Sequence, residues 1–208
     1  KFYYDRREKP ALISRLNVYS GKKRKLEVLP YGSSSALANK FGDVKFMTWR
    51  DDNNVQHSAY RSNNDGEWIP LEEAFENVSG LLPLGQSEDG EFVYLSGRFG
   101  DEGISTLFSL HLQSGEYKRV FSDHATDIEY VVLDRNGMPA VGITYPSRSS
   151  YVYAQTETKV SKVHKMLAEA FKGQTATIAS HTKDWKTLLV RVSSDVNPGE
   201  YYLFDSDT

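Results

Sequence analysis

Hydrophobic and polar positions alternate in short runs along most of the chain, and tight polar pairs separate the runs. Gly42-Asp43 precedes Val44–Trp49, and Asp89-Gly90 precedes Glu91–Leu95. Asn136-Gly137 precedes Met138–Ile143, and Asp184-Trp185 precedes Lys186–Val192. Counted on the second residue of each pair, the spacings are 47, 47 and 48 residues. Such pairs tolerate positive φ, so the pattern predicts a tight primed hairpin joining a first strand to a second.

A second series runs out of phase with the first. Leu12–Val18, Ser20-Gly21 and Lys25–Leu29 read as strand, turn, strand. Ser58–Arg61, Asp65-Gly66 and Glu67–Leu71 read the same way, as do Thr106–Leu112, Ser114-Gly115 and Tyr117–Phe121. Together the two series define a unit of about 47 residues with four antiparallel strands, which is the period and content of a propeller blade. A β-sandwich also has short strands and many turns, but it has no reason to space its turn pairs evenly.

One element departs from this rhythm. Ser161–Lys172 carries Val163, Met166, Leu167, Ala170 and Phe171 at helical spacing, with Ser161 to cap its start and Gly173 its end. The expected fold is therefore all-β, a fragment of a β-propeller with about four blades of four-stranded antiparallel sheets and one short inserted helix over about 161–172. Residues 12–29 supply the outer strands of one blade. Successive repeats occupy about 36–76, 80–123 and 127–173, and 174–208 form an incomplete blade.

Composition narrows the chemistry. The 208 residues have 25 basic and 28 acidic side chains, a net charge of −3, which gives no whole-chain basic footprint for nucleic acid. Leu, Ile, Val and Phe make up 50 residues, enough to build a core. With no cysteine there is no disulfide framework, thiolate metal site or cysteine nucleophile. No apolar run reaches the 18 residues of a membrane span. The chain opens on Lys1-Phe2-Tyr3-Tyr4 without a Met, as a piece of a longer protein would.

Gly32-Ser33-Ser34-Ser35-Ala36 comes near a Gly-x-Ser-x-Gly nucleophile elbow. Its last glycine is replaced, Pro30 interrupts the approach, and no β-α-β alternation follows, so an inter-blade loop is the better reading. His57, His111, His124, His164 and His181 share no metal-ligand spacing. Asp195–Glu200 lacks the spacing of an EF-hand loop and reads as a turn between strands. Asn77-Val78-Ser79 is a glycosylation sequon, relevant only to a secreted eukaryotic protein. No nucleotide-binding motif, catalytic residue, metal ligand or cofactor site is assigned.

The most distinctive stretch is the last third. A helix leads to Gly173–Ser180, then to the Asp184-Trp185 turn. Leu188-Leu189-Val190-Arg191-Val192-Ser193-Ser194-Asp195 follows, and Asn197-Pro198-Gly199-Glu200-Tyr201-Tyr202-Leu203-Phe204-Asp205 comes last. This order resembles the N-terminal propeller of prolyl oligopeptidase-family serine peptidases, closest to the branch of acylaminoacyl peptidases and bacterial dipeptidyl aminopeptidase-like enzymes. The specific similarity covers about residues 160–205.

The resemblance implies a propeller that limits which peptides reach a Ser-Asp-His triad in an α/β-hydrolase domain. No catalytic position of that family has a counterpart in this chain. The implied partners are peptide substrates, through the intact enzyme, and the chain's own hydrolase domain, with no nucleic acid and no membrane. The compartment is left open between cytoplasm and periplasm or secretion. An open arc of blades would leave unpaired strand edges and invite edge-to-edge self-association.

Turns after each second strand are the candidate contact surfaces: Arg50-Asp51-Asp52, 98–103, 146–150 and 193–199. Within them Arg50, Arg98, Asp101, Arg148 and Asp195 are the candidate residues. The alternative function is a stand-alone propeller scaffold that binds proteins. A sugar-active propeller would need converging carboxylates, which sequence spacing does not reveal.

Overall fold

The computed structural model describes residues 10–29, 35–39, 41–75, 77–100, 103–122, 126–134, 136–144, 150–153 and 157–206. Among them are sixteen strands in antiparallel sheets and two helices. A two-stranded sheet pairs β1 (Ala11–Leu16) with β2 (Lys23–Leu29). Next comes a meander of β3 (Ser35–Ala38), β4 (Val44–Arg50), β5 (Gln56–Tyr60) and β6 (Ile69–Pro70), each strand beside its sequence neighbour. A second four-stranded meander holds β7 (Val78–Gln86), β8 (Phe92–Phe99), β9 (Ser105–His111) and β10 (Tyr117–Phe121).

The third meander has three strands, β11 (Ile128–Leu133), β12 (Pro139–Thr144) and β13 (Ser150–Tyr153). The last has β14 (Thr175–His181), β15 (Thr187–Ser193) and β16 (Glu200–Asp205). Helix α1 (Leu71–Ala74) follows β6, and α2 (Lys159–Ala170) stands between β13 and β14. The fold is all-β, built of consecutive up-and-down antiparallel meanders of the propeller-blade kind, as the period predicts.

The turns from first to second strand share one design. Gly42, Gly90, Gly137 and Trp185 donate their N–H to the carbonyls of Asn39, Ser87, Asp134 and Thr182 at 2.9–3.0 Å. Each donor has positive φ, at 93°, 75°, 75° and 60°. The neighbours Asp43, Asp89, Asn136 and Asp184 do not, so these are not the primed turns expected from the residue pairs. One left-handed residue after an ordinary turn defines a bulged hairpin loop instead, which needs a single permissive position.

Two side-chain chemistries close these turns. Asn39 Oδ1 accepts the N–H groups of Phe41, Gly42 and Asp43 at 3.0 Å, and Asp134 Oδ1 accepts those of Asn136 and Met138. In the other two, a hydroxyl and an aspartate share the work. Ser87 and Thr182 donate to Asp89 and Asp184, whose carboxylates accept from the N–H of Glu91 and Lys186. Those hydroxyl bonds are the main reason both carboxyls sit below their usual pKa.

Two elements differ from the sequence reading. The strand expected over Glu67–Leu71 is only Ile69–Pro70, because Pro70 has no N–H for the ladder and the chain turns into α1. The inserted helix begins two residues earlier than expected, and Thr158 rather than Ser161 is its N-cap. Thr158 Oγ1 accepts the Ser161 N–H at 3.1 Å, while Ser161 Oγ accepts the Thr158 N–H at 2.8 Å. This reciprocal pair satisfies two helix-terminal donors at once. The buried face is accordingly Val160, Val163, His164 and Leu167, and Met166 is exposed. Gly173 does end the helical turn, with φ of 85°.

The chain forms two compact units, one of residues 1–95 and 109–118, the other of 96–108 and 119–208. In the first, Leu29, Val44, Met47 and Ala59 pack with Ala11, Ile13, Ala36, Trp49 and Trp68. In the second, Val141, Ile143, Val163, Leu167, Ile178, Leu188 and Val190 share a core with Trp185. In that core β15 alternates buried with more exposed positions, while β12 is buried along its whole length.

His164 is fully buried in the second core. Its Nδ1 lies 3.2 Å from the Tyr153 hydroxyl, the Tyr151 ring stands edge-on 4.6 Å away, and Nε2 has no hydrogen-bond partner among the described residues. Burial pushes its pKa down from 6.5 to about 4, against a smaller opposing contribution from the Ala176 backbone. The unfolded chain binds a proton here below about pH 6.5 and the folded chain only near pH 4. Stability is therefore complete above that window and falls as pH drops through it, by up to about 3 kcal/mol. His164→Leu should flatten this fall. Urea midpoints at pH 7.5 and 5.0 that diverge as much in the variant as in the parent chain would refute the assignment.

Candidate functional site

Of the sequence-predicted residues, Arg50 and Arg98 sit at the ends of second strands and Asp195 in the turn that follows one, and the structure assigns the two arginines local work. Arg50 ends β4. Its Nη1 donates to the Asn54 carbonyl at 2.9 Å and its Nη2 to Gln56 Oε1 at 3.4 Å, so it closes its own turn. Asn54 carries positive φ there, and Asp51 Oδ1 accepts the Asn53 and Val55 N–H groups.

Asp195 is exposed in the β15–β16 turn, next to Val196. Asp101 and Arg148 lie outside the described residues, as do His124 and Gly32–Ser34 of the false elbow. Ser35 opens β3, where its hydroxyl meets Thr48 Oγ1 at 2.7 Å.

Around Arg50 the same turn gathers a group that spacing did not reveal. His57 stacks on Trp49 at 5.3 Å, its Nε2 faces Asp51 Oδ2 at 3.3 Å, and its Nδ1 faces Glu72 Oε1 at 3.6 Å. The two carboxylates address opposite ring nitrogens, so the three do not converge on one point as metal ligands would. No metal-competent group of three such side chains occurs among the described residues. The Asp51 carboxyl is held below its usual range, chiefly by the Val55 N–H.

Arg98 is the candidate with the most extensive network. Its Nε donates to the Gly103 carbonyl at 2.8 Å and its Nη2 to Asp127 Oδ2 at 3.1 Å. Asp127 Oδ1 accepts the Ser105 N–H, and the Ser96 and Ser105 hydroxyls are hydrogen-bonded. Asp127 thereby ties the β8–β9 turn to the segment entering β11. Sequence reasoning missed it, because 29 residues separate it from Arg98 and no motif links the two.

The turn before β16 is a second clamp. Arg191 Nη2 donates to the Pro198 carbonyl at 2.7 Å and Nη1 to Ser193 Oγ at 3.2 Å. Asn197 Nδ2 donates to Gln174 Oε1 at 2.9 Å, and the Ser194 N–H to the Asn197 carbonyl. Gly199 has φ of 127°, and a Cβ there would lie 2.8 Å from Arg191 Nε. Only glycine satisfies both the backbone and the space.

A groove of about 200 Å³ lies along the outer part of the second meander, lined by Phe92, Ser109, His111, Glu116 and Lys118. His111 tilts against Phe92 at 5.0 Å and its Nδ1 lies 2.8 Å from Ser114 Oγ, as an ordinary strand histidine does. No helix among the described residues is long and apolar enough to cross a membrane.

No protein-family model and no curated protein sequence matches the chain. Among solved structures it is similar to TolB from Acinetobacter baumannii, with a TM-score of 0.47 and 13% identity. That match covers 95% of this chain and 47% of TolB, so the chain spans about half that protein's length.

Removing the Asp127 carboxylate leaves the Ser105 N–H and the Arg98 guanidinium without their shared acceptor. Asp127→Ala should cost about 1–3 kcal/mol of stability, the penalty of an orphaned polar group. Amide exchange at Ser105 should accelerate well ahead of exchange in β12. Equal acceleration at both sites would show that Asp127 has no local role.

Proposed function

We propose that this chain is the substrate-gating propeller portion of a serine peptidase of the prolyl oligopeptidase type. In this reading peptides are hydrolysed in an α/β-hydrolase domain, and the propeller turns limit which peptides reach it. The observation that carries the reading is the run α2, β14, turn, β15, clamp, β16, in which the residues of the resemblance have distinct physical duties. Arg191, Ser194, Asn197, Pro198 and Gly199 form one interlocked turn, so their joint presence marks a specific structure rather than a generic strand connection.

The chemistry would be nucleophilic acyl transfer, with the serine, its histidine base and the orienting aspartate in the hydrolase domain. This chain's own contribution is steric and electrostatic. Arg98–Asp127 and Arg191–Pro198 tie their turns in place, and a turn that selects peptides by size must hold its position.

The test uses the complete product of the gene that encodes this chain. A fluorophosphonate probe should label a serine outside these 208 residues, and chromogenic peptides should be cleaved with a preference for short ones. Arg98→Ala should then shift the ratio of long- to short-peptide cleavage while the rate on the smallest substrate stays unchanged. A complete product that neither reacts with the probe nor cleaves peptides would overturn the reading in favour of a binding scaffold.

A further inference from the structure

The β1–β2 hairpin holds a concentration of charge that the whole-chain balance conceals. From Pro10 to Leu26 there is no acidic residue, while Lys22, Lys23, Arg24 and Lys25 are consecutive. All four are exposed, and none forms an ion pair among the described residues. The register sets Arg24 opposite Arg15 and Lys23 opposite Leu16, so like charge is packed together instead of being balanced across the ladder.

The tip is ordered and apolar. Asn17 Oδ1 accepts the N–H groups of Tyr19 and Ser20 at 3.0 Å, the Asn17 N–H reaches the Lys22 carbonyl, and Gly21 donates back to the Asn17 carbonyl. With its backbone satisfied internally, the turn holds out Tyr19 at 98% exposure, Val18 at 79% and Leu16 at 51%. The other end of the hairpin is fixed. Leu29 is fully buried, Ala11 and Ile13 pack beside it, and Glu27 pairs with the buried Arg61. A rigid base therefore carries a protruding tip, apolar at its end and cationic along its return strand.

We propose that this hairpin docks the chain on a bilayer surface rich in anionic headgroups. Tyr19, Val18 and Leu16 enter the headgroup region, and the Lys22–Lys25 run binds lipid phosphates. Cations near an anionic leaflet and apolar side chains at the interface add their contributions, and such peripheral docking needs no spanning segment. Leu16 and Val18 favour the bilayer over nucleic acid, because they have no ring to stack on a base and gain only by leaving water, whereas the Tyr19 ring serves either surface.

Sedimentation of the 208-residue chain with phosphatidylglycerol vesicles tests this. Binding should appear with those vesicles, be absent with phosphatidylcholine vesicles, and weaken as salt rises. Lys23→Ser with Lys25→Ser should lower the partition coefficient about 30-fold, since each surface cation contributes about fivefold. Tyr19→Ser, which keeps every charge, should also weaken it, and unchanged circular dichroism would show that each variant is folded. The proposal fails if phosphatidylglycerol vesicles do not bind the chain or if these variants bind as well as the parent. It also fails if an oligonucleotide or an acidic protein binds the hairpin more tightly than the vesicles do.

Discussion

One left-handed residue at the first turn of each repeat sets the geometry of this chain. At Gly42, Gly90, Gly137 and Trp185 the backbone must take positive φ for the first strand to fold back on the second. Everything downstream in a meander inherits its register from that point, because a shift of one residue would turn the buried face outward. The polar atoms that close each turn are local, so the hairpin forms without help from distant parts of the chain. At three positions glycine adopts the conformation at little steric cost. At the fourth, Trp185 takes the strained backbone, is almost fully buried, and stacks on His181 at 3.8 Å. Its burial and stacking offset a conformation that a bulky residue otherwise avoids.

Rigidity at the opposite turns is achieved differently. There the chain uses charge: Arg98 with Asp127, Arg191 with the Pro198 carbonyl, Arg50 with the Asn54 carbonyl. A planar guanidinium offers several donors in a fixed fork, so a single side chain can hold a turn and its neighbour together. Arg61 applies the same chemistry inside the first unit. It donates to the Val44 carbonyl, pairs with Glu27 and lies over the Trp68 ring at 4.5 Å. The arginines that look like surface recognition residues in the sequence are largely committed to shaping the turns that carry them.

Much of the architecture was legible because it is local. The near-constant interval of the turn pairs predicts meanders, and the helical spacing over about 161–172 predicts the helix observed as α2. The errors were local as well: a bulged turn in place of a primed one, a cap at Thr158 in place of Ser161, and a strand cut short at Pro70. Each depends on a few hydrogen bonds that residue type alone does not distinguish. The candidate site was far less legible. Arg98 and Asp127 are 29 residues apart, and Arg61 and Glu27 are 34 apart, with no sequence signal joining them. The charge balance of the whole chain also averaged away the run Lys22–Lys25.

By itself the sequence determined the period and the inserted helix, because alternation, turn residues and helical spacing act over a few residues, whereas the four-stranded count is met in only two of the described meanders. Only the tertiary structure decided which polar groups are spent and which remain available. Burial made His164 a neutral core residue, and folding turned Arg50, Arg61, Arg98 and Arg191 into clamps. The basic run of the first hairpin stayed in solvent, with no ion-pair partner among the described residues. Partnering over long sequence distances is a property of packed surfaces, and no local pattern encodes it.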